Sequence, residues 1–144
     1  MLTVPIFTEN NQKLPIKAYP HDAGYDIALV EDVEFGINDI KPVSLGIHLN
    51  IPKGYMGLLV PRSSIYKYGV IFVNSVGIID SGYTGAIHVL LHNILNITVK
   101  LSAGMRLAQL IFVKIEAVTF NKKPSVEALG VTLRGESGLG STGD

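Results

Sequence analysis

The sequence predicts an all-β fold, a sandwich or barrel of short strands in one domain. Apolar residues recur with period two in many short runs, and turn residues separate these runs. No segment carries an apolar stripe of helical spacing that is long enough for a stable helix. The length of 144 residues corresponds to one domain. We therefore expect a single hydrophobic core and at most one short helical turn.

Two strand pairs are predicted from alternation on both sides of a turn. Residues 47–51 alternate up to a Pro-Lys-Gly turn, and the pattern resumes over residues 56–60. Residues 97–101 lead through a Ser-Ala-Gly turn into a second alternating run over residues 107–113. Each pattern predicts a β-hairpin, because a tight turn between two alternating runs favours pairing of the two strands.

One short helical turn is predicted between these strand pairs. The stretch SSIYKY, residues 63–68, follows a proline and an arginine and precedes a glycine. Serine is a preferred N-cap residue and glycine a preferred C-cap residue. We therefore expect Ser63 at the N-cap and Gly69 at the C-cap.

The end of the single domain 1–144 is expected to be a mobile C-terminal arm, residues 122–144. Alternation is lost there, and the chain closes with RGESGLGSTGD. Such a composition is typical of a disordered end. The alternative is a lid that closes over a phosphate, since glycines allow close approach while Arg134, Ser141 and Thr142 offer a charge and two hydroxyl donors.

Composition narrows the range of partners and locations. Twelve acidic residues balance twelve basic ones, and no run of either sign occurs, so we expect no nucleic-acid partner and no membrane. Cysteine is absent, and the chain opens with MLTVP rather than a signal peptide. We expect an intracellular, cytoplasmic protein that is not secreted, or one in the host-cell cytoplasm or nucleus if it is viral. Only 17% of the residues are charged, against about 25% in an ordinary domain, which favours an oligomer.

The arginines mark a candidate site for an oxyanion. The chain has only three: Arg62 precedes two serines, Arg106 follows Gly104 by two positions, and Arg134 opens the glycine-rich end. A guanidinium group presents a rigid fork that suits phosphate oxygens better than a lysine ammonium group does. Ser63 and Ser64 would add the N–H groups and dipole of the helical turn. The alternative is that the two serines only cap a turn.

Two carboxylates are candidates for a general base. Asp80 lies between an apolar run and a glycine-rich turn, where it could hold and deprotonate a water molecule. Asp26 follows Gly24 and Tyr25 in a similar setting. Either aspartate could instead accept backbone hydrogen bonds in its turn. The four histidines form no metal-ligand pattern, and we interpret them as structural or surface residues: His21, His48, His88 and His92.

Taken together, the sequence resembles the homotrimeric dUTP pyrophosphatases, or dUTPases. Five stretches match the ordered motifs of that family from Ala23 to Gly143: AGYDI at 23–27, PRSS at 61–64, GIIDSGYTG at 77–85, RLAQLIF at 106–112 and RGESGLGSTG at 134–143. Each motif alone is weak, but five in the expected order and spacing are highly specific. The resemblance implies a jelly-roll-like subunit in a homotrimer, with three active sites that each draw on more than one chain.

The resemblance also implies the reaction. dUTP is hydrolysed to dUMP and pyrophosphate by a water molecule that Asp80 activates for attack on the α-phosphate. The product supplies dUMP for dTMP synthesis, and the reaction removes dUTP from the nucleotide pool. Mg²⁺ would be held mainly by the substrate triphosphate, and Asp26 would reach it through water, which fits the preference of this ion for waters and substrate oxygens.

Further roles follow from the same resemblance. Tyr83 would lie beneath the deoxyribose and exclude a 2′-hydroxyl group. The uracil pocket would be formed by the 74–83 hairpin, with Asn74, Gly77 and Ile79. The inner phosphates would be held by Arg62, Ser63, Ser64 and Gln109, of which Arg62 and Gln109 also assist catalysis. The γ-phosphate would be held by the closing arm, with Arg134, Gly140, Ser141 and Thr142. Leu139 stands where the family usually has a phenylalanine that covers the uracil ring, which predicts a weaker hold on the substrate.

Two other functions fit the sequence less well than dUTP hydrolysis. A dCTP deaminase of the same fold needs a glutamate in its base pocket, and residues 74–85 contain none. A regulatory role through protein binding would favour an inserted segment between the motifs, and the sequence shows no obvious insertion. Hydrolysis of dUTP is therefore the function that the sequence predicts.

Overall fold

The computed structural model of this chain describes residues 2–136. Ten short strands and two 3₁₀ turns lie within those residues. The strands are β1 Ile6–Thr8, β2 Tyr25–Ala28, β3 Val33–Phe35, β4 Ile40–Leu49, β5 Tyr55–Pro61, β6 Val70–Phe72, β7 Gly77–Ile79, β8 Ala86–Asn93, β9 Val99–Leu101 and β10 Arg106–Lys114, and the 3₁₀ turns are Ser63–Tyr68 and Glu127–Leu129. The predicted all-β class is confirmed.

The strands form two four-stranded sheets and one two-stranded ribbon. The strand order is β1-β4-β8-β6 in the first sheet and β2-β10-β5-β7 in the second, and the ribbon pairs β3 with β9. All of these pairs are antiparallel. Antiparallel sheets that bury one face against each other make the jelly-roll-like sandwich that the sequence predicted.

Consecutive strands do not pair with each other within residues 2–136. β4 pairs with β1 and β8, whereas β5 pairs with β10 and β7, so the Pro-Lys-Gly turn carries the chain from one sheet to the other. The Ser-Ala-Gly turn likewise leads from the β3–β9 ribbon into the second sheet. Both predicted hairpins are therefore wrong. The 74–83 segment is not a paired hairpin either, because β7 pairs with β5 and β6 pairs with β8.

One apolar cluster fills the space between the sheets. It draws on alternate residues of β4 and β8 from the first sheet and on β2, β5 and β10 from the second. The bulkiest members, which are almost completely buried, are Phe35, Ile27, Leu45, Ile47, Ile51, Leu59, Ile87, Leu91, Leu101, Leu107 and Leu110. Burial of each such side chain stabilises the fold by about 1.5–3 kcal/mol. This cluster therefore holds the sheets together.

The predicted helical turn is confirmed as a 3₁₀ turn over Ser63–Tyr68, but its cap differs from the prediction. Gly69 ends the turn in the left-handed conformation, at φ 70°. At the other end the N-cap is Arg62, in an extended conformation, and no side chain caps the turn. Ser63 is instead the first residue of the turn, because Arg62 is fixed by a backbone bond to Leu107 in β10.

After β10 the described chain forms no further strand. Residues 115–136 are exposed and form only short local turns, and Phe120 keeps 93% of its surface. This exposure agrees with an arm that leaves the body of the domain, although the division at residue 122 and the mobility of the arm stay predictions. No helix in residues 2–136 has the length and apolarity that a bilayer crossing would need.

Asn93 is a buried polar residue that ties three segments together at one end of the fold. Its Nδ2 donates to the carbonyl groups of Gly36 and Ile97, both at 2.8 Å, and its Oδ1 accepts from the N–H of Leu95 at 2.9 Å. Its exposure is 0%. The Asn93 side chain therefore satisfies backbone groups that have no strand partner where β8 ends.

Asn93→Ala is expected to lower the free energy of unfolding by about 3 kcal/mol, because a buried polar group left without a partner costs about 1–3 kcal/mol. Urea denaturation at a fixed protein concentration measures the change. Asn50→Ala is the matched control, since Asn50 is exposed and such a change is expected to cost less than about 0.5 kcal/mol. Equal losses in the two variants would contradict the role of Asn93.

Candidate active site

The candidate site is centred on Asp26, a carboxylate shared by two arginines. Asp26 Oδ1 lies 2.8 Å from Arg62 Nε, and Asp26 Oδ2 lies 3.2 Å from Arg106 Nη1. The aspartate is only 8% exposed, whereas both guanidinium groups reach solvent. One buried negative charge thus faces two partly exposed positive charges. The cluster carries a net positive charge at the surface, as an anion-binding site requires.

Strand pairing brings the three charged residues together. Arg106 lies across from Ala28 at the start of β10, and the β2–β10 ladder then shifts register before Ala108. Such a bulge re-aims the side chains beside it. Arg62 follows β5, where its N–H donates to Leu107 O at 2.8 Å and its Nη1 donates to Arg106 O at 3.2 Å. The Arg62 guanidinium is therefore fixed by its backbone, by β10 and by Asp26.

A cleft of about 230 Å³ opens beside this cluster. Its lining residues are Ala18, Asp22, Ala23, Gly24, Asp26, Arg62, Ser63 and Gln109. A guanidinium group, an exposed hydroxyl group and a primary amide supply hydrogen-bond donors to one small space. Asp22 brings a second carboxylate to the cleft, and its Oδ2 accepts from the N–H of Tyr19 at 2.9 Å.

Gln109 depends on the glycine of the first motif for its position. It lies opposite Asp26 in the β2–β10 ladder, and its Nε2 donates to Pro61 O at 3.2 Å. A Cβ atom on Gly24 would lie 2.2 Å from Gln109 Oε1 and 2.9 Å from its Cδ. Only glycine leaves room for the amide beside the cleft.

Ser64 has a buried hydroxyl group without a hydrogen-bond partner among the described residues. Buried polar atoms are nearly always paired, and an orphan marks a place where a ligand or another chain is expected to supply the partner. Ser63, its neighbour, is exposed and lines the cleft. The two serines thus differ: Ser63 lines the cleft, whereas the Ser64 hydroxyl group is buried and has no hydrogen-bond partner among the described residues.

A second group of predicted site residues lies in the connection between β7 and β8. Gly77 and Ile79 belong to β7, at the edge of the second sheet, and Asp80 follows as an exposed residue. Tyr83 N donates to Asp80 O at 3.3 Å, and the Tyr83 hydroxyl donates to Ala86 O at 3.1 Å. One turn therefore carries both an exposed carboxylate and an exposed aromatic residue.

Gly85 makes room for this ring. A Cβ atom at Gly85 would lie 2.5 Å from Tyr83 Oη. Asn74, the remaining predicted residue of this group, is exposed in the turn between β6 and β7. The Tyr83 ring is thus held by the hydrogen bond of its hydroxyl group and by the close approach of Gly85.

The structure does not join these two groups of residues within one subunit. No hydrogen bond or ion pair in residues 2–136 links Asp80 or Tyr83 to Asp26, Arg62 or Gln109. Arg134, in the arm, is exposed. The remaining predicted residues lie outside the described residues: Leu139, Gly140, Ser141 and Thr142.

Sequence reasoning missed two residues that shape the cleft. The sequence marks Arg106 only as one of three arginines that suit an oxyanion, whereas the structure places it on Asp26. The signal was its position at the head of the RLAQLIF motif. Gly24 had been quoted only as part of AGYDI, and its tight contact with Gln109 depends on a strand pairing that the sequence does not show.

Comparison with known proteins gives one consistent family. The dUTPase family model matches residues 10–143. The deoxyuridine 5′-triphosphate nucleotidohydrolase of Corynebacterium jeikeium is 42% identical over 132 residues, covering 90% of this chain and 85% of that protein. The enzyme of the same name from fowlpox virus is 38% identical over 133 residues, covering 91% and 90%.

Solved structures agree with this family. The Staphylococcus bacteriophage 80alpha dUTPase, solved with dUPNHPP, superposes with a TM-score of 0.88 at 25% identity and covers 99% of both chains. A mutant of the dUTPase from phage phi11 of S. aureus gives a TM-score of 0.78 at 24% identity, over 87% of this chain and 99% of that one. The second likeness concerns the fold alone.

Gly24→Ala is expected to weaken pyrophosphate binding by about tenfold, because it displaces Gln109 and a hydrogen bond to a charged group contributes about 1.5–3 kcal/mol. Titration calorimetry with pyrophosphate measures the affinity. Gln109→Ala and the double variant complete a cycle. The added methyl group should cost little once Gln109 is shortened, so additive losses would show that Gly24 acts in another way.

Proposed function

The chain belongs to the dUTPase family, and from that membership we propose that it hydrolyses dUTP to dUMP and pyrophosphate. The relatives at up to 42% identity are enzymes named as deoxyuridine 5′-triphosphate nucleotidohydrolases. The observation that carries the proposal is the cleft beside Asp26, where the residues of three separate motifs meet. This hydrolysis would remove dUTP from the nucleotide pool and supply dUMP for dTMP synthesis.

The cleft supplies the donors for a triphosphate. Arg62 offers free guanidinium N–H groups because Asp26 engages only its Nε, and the carbonyl of Arg106 takes only one bond from Nη1. Gln109 and Ser63 add an amide and a hydroxyl donor on the same cleft. Donors that are fixed before the substrate arrives stabilise charge on the phosphate without reorganisation in the transition state.

Asp80 would act as the general base. Its carboxylate is exposed at the end of β7, where it can hold a water molecule. The water oxygen forms a bond to the α-phosphorus, Asp80 takes the proton, and the bond from that phosphorus to the α,β-bridging oxygen breaks. The bridging oxygen leaves with pyrophosphate, so that no covalent enzyme intermediate is needed.

The β7–β8 connection would select the base and the sugar. The ring of Tyr83, held between Gly85 and the carbonyl of Ala86, would occupy the space that a 2′-hydroxyl group needs. Asn74, with the backbone around Gly77 and Ile79, would form the narrow uracil pocket. A pocket that pairs with one base edge rejects another base strongly, because its buried polar groups are then left unpaired.

The donor set fits a magnesium ion that the substrate carries. No three acidic or histidine side chains in residues 2–136 converge to hold a metal ion by themselves. Asp22 and Asp26 nevertheless bring two carboxylates to the cleft, and Mg²⁺ is commonly held by one or two carboxylates together with substrate phosphates and water. Asp26 would reach the ion through water. When bound, Mg²⁺ offsets the negative charge of the phosphates.

A homotrimer with shared sites would unite the two groups of residues. No hydrogen bond or ion pair in residues 2–136 links the Asp80 loop to the Asp26 cleft, and a neighbouring subunit would bring them together. Exposed apolar side chains on the body and arm give further support: Ile71, Val73, Ile78, Val118, Phe120 and Leu129. The intracellular location stays a prediction.

Asp80→Asn is expected to reduce the kcat for dUTP by about 10²-fold or more, because general-base catalysis contributes about 10²–10⁴-fold. Pyrophosphate release from dUTP, dCTP, dTTP and UTP with Mg²⁺ measures both rate and selectivity. Glu34→Gln is the control, because Glu34 is an exposed carboxylate paired with Lys100.

A chain that ends at Val131 should also lose turnover of dUTP if the arm closes as a lid. Absence of dUTP turnover in the parent protein would overturn the proposed function.

Mixing two inactive variants tests whether the site is shared. Asp80→Asn and Arg62→Ala, refolded together in equal amounts, are expected to recover about a quarter of the parent activity. Three-quarters of random trimers are mixed, and each mixed trimer contains one intact site out of three. A site contained within one chain would recover no activity on mixing.

A further inference from the structure

His48 links the loop that carries Tyr83 to the body of the domain. Its Nδ1 lies 2.9 Å from Thr84 O, and its Nε2 lies 2.7 Å from Glu9 Oε1. Thr84 directly follows Tyr83, whose hydroxyl bonds to Ala86 O, so this histidine touches the loop between the two contacts that shape it. The sequence had given His48 no role beyond a structural or surface one.

The backbone of β4 is built to aim this side chain at the loop. The β4–β8 ladder changes register between Ser44 and His48, and His48 then pairs with Ala86. Gly46, at φ 61°, adopts a left-handed conformation within this bulge, and its carbonyl accepts from Glu9 N at 2.9 Å. The bulge thus brings the end of β1 and the Tyr83 loop to opposite sides of one imidazole ring.

Each of the two contacts of His48 requires an N–H donor from the imidazole ring. Both partners are acceptors, a carboxylate and a backbone carbonyl. The imidazolium ion has two N–H donors and satisfies both partners, whereas a neutral ring donates to only one and turns a lone pair towards the other. Loss of one proton therefore breaks one side of the link.

We propose that His48, paired with Glu9, is a positioning residue for the proposed reaction: as an imidazolium ion it anchors Thr84 and so holds Asp80 and Tyr83 for catalysis. The inference rests on the proposed hydrolysis of dUTP by this loop. His48 itself contacts no substrate. It acts through the backbone of Thr84, and the protonation of its ring sets how firmly the loop is held.

The charges around His48 favour the imidazolium form. The titratable groups on the elements packed about it are Glu9 at the end of β1, Asp80 and Tyr83 in the loop, and His88 on β8, whose Nδ1 bonds to Ala86 O. The hydrogen bond to Glu9, followed by that to Thr84, raises the pKa of His48 above its ordinary 6.5. The link is complete below about pH 6.5 and is lost as the pH rises through the raised pKa.

Two substitutions at His48 separate its contacts. His48→Gln places an amide near the Nε2 position and keeps the bond to Glu9, whereas His48→Asn places one near Nδ1 and keeps the bond to Thr84. We expect kcat/KM for dUTP at pH 6 to fall about tenfold in His48→Gln and about twofold in His48→Asn, as a misplaced catalytic group costs up to about 10²-fold. His92→Gln, on β8 and bonded to Asn38, is the matched control and should match the parent.

Glu9→Gln tests the charge without removing the hydrogen-bond partner. The neutral amide no longer stabilises the imidazolium ion, so the decline of kcat/KM on the alkaline side should shift towards lower pH. Activity at pH 6 should stay close to that of the parent. This variant also serves if a His48 variant fails to fold, since it leaves the histidine in place.

Hydrogen exchange at the backbone amides of residues 81–86 gives a readout that needs no turnover. Corrected for intrinsic rates, exchange should speed up in His48→Gln and, in the parent, as the pH rises through the His48 titration. Unchanged exchange together with an unchanged pH profile in His48→Gln would overturn the proposal. If the parent does not hydrolyse dUTP, the proposed function fails, and exchange alone then decides whether His48 anchors the loop.

Discussion

The cleft depends on a single buried carboxylate held between two guanidinium groups. Asp26 is taken out of water, a change that is costly for an isolated charge and tolerable only because Arg62 and Arg106 both pair with it. In return the carboxylate fixes the direction of Arg62, whose side chain would otherwise have many rotamers. The remaining donors of the cleft, Ser63 and Gln109, are arranged around this fixed group.

At two positions a glycine leaves the space that a neighbouring side chain of the candidate site occupies. Gly24 leaves the space that the Gln109 amide occupies, and Gly85 leaves the space for the Tyr83 ring. Neither residue offers a chemical group to a substrate. At each position an added Cβ atom would overlap a neighbouring side chain, Gln109 or Tyr83, and would force it to move. Gly24 thus accommodates a residue of a distant strand, whereas Gly85 accommodates a ring two positions before it in the same loop.

The loop of Asp80 and Tyr83 is anchored separately from the cleft. It follows an edge strand, and no hydrogen bond or ion pair in residues 2–136 links it to Asp26, Arg62 or Gln109. Among the described residues, its position depends on its own backbone contacts and on His48 through Thr84. An exposed loop with few buried contacts opens easily, so each anchor has a large effect on how often the loop is correctly placed.

The sequence by itself determined the all-β class, the helical turn before Gly69 and the motifs that meet in the cleft. These are local properties, since alternation, capping preferences and motif residues are read within a few positions of the chain. The two hairpins were predicted wrongly for the same reason: alternation shows which faces of a strand are buried, but not which strand lies beside it.

Tertiary structure alone decided the remaining features. It placed Arg106 on Asp26, 80 positions away in the chain, and His48 between Glu9 and Thr84, at separations of 39 and 36 positions. Such contacts arise because each connection carries the chain from one sheet to another sheet or to the β3–β9 ribbon, so strand neighbours are set by the packing of the whole core.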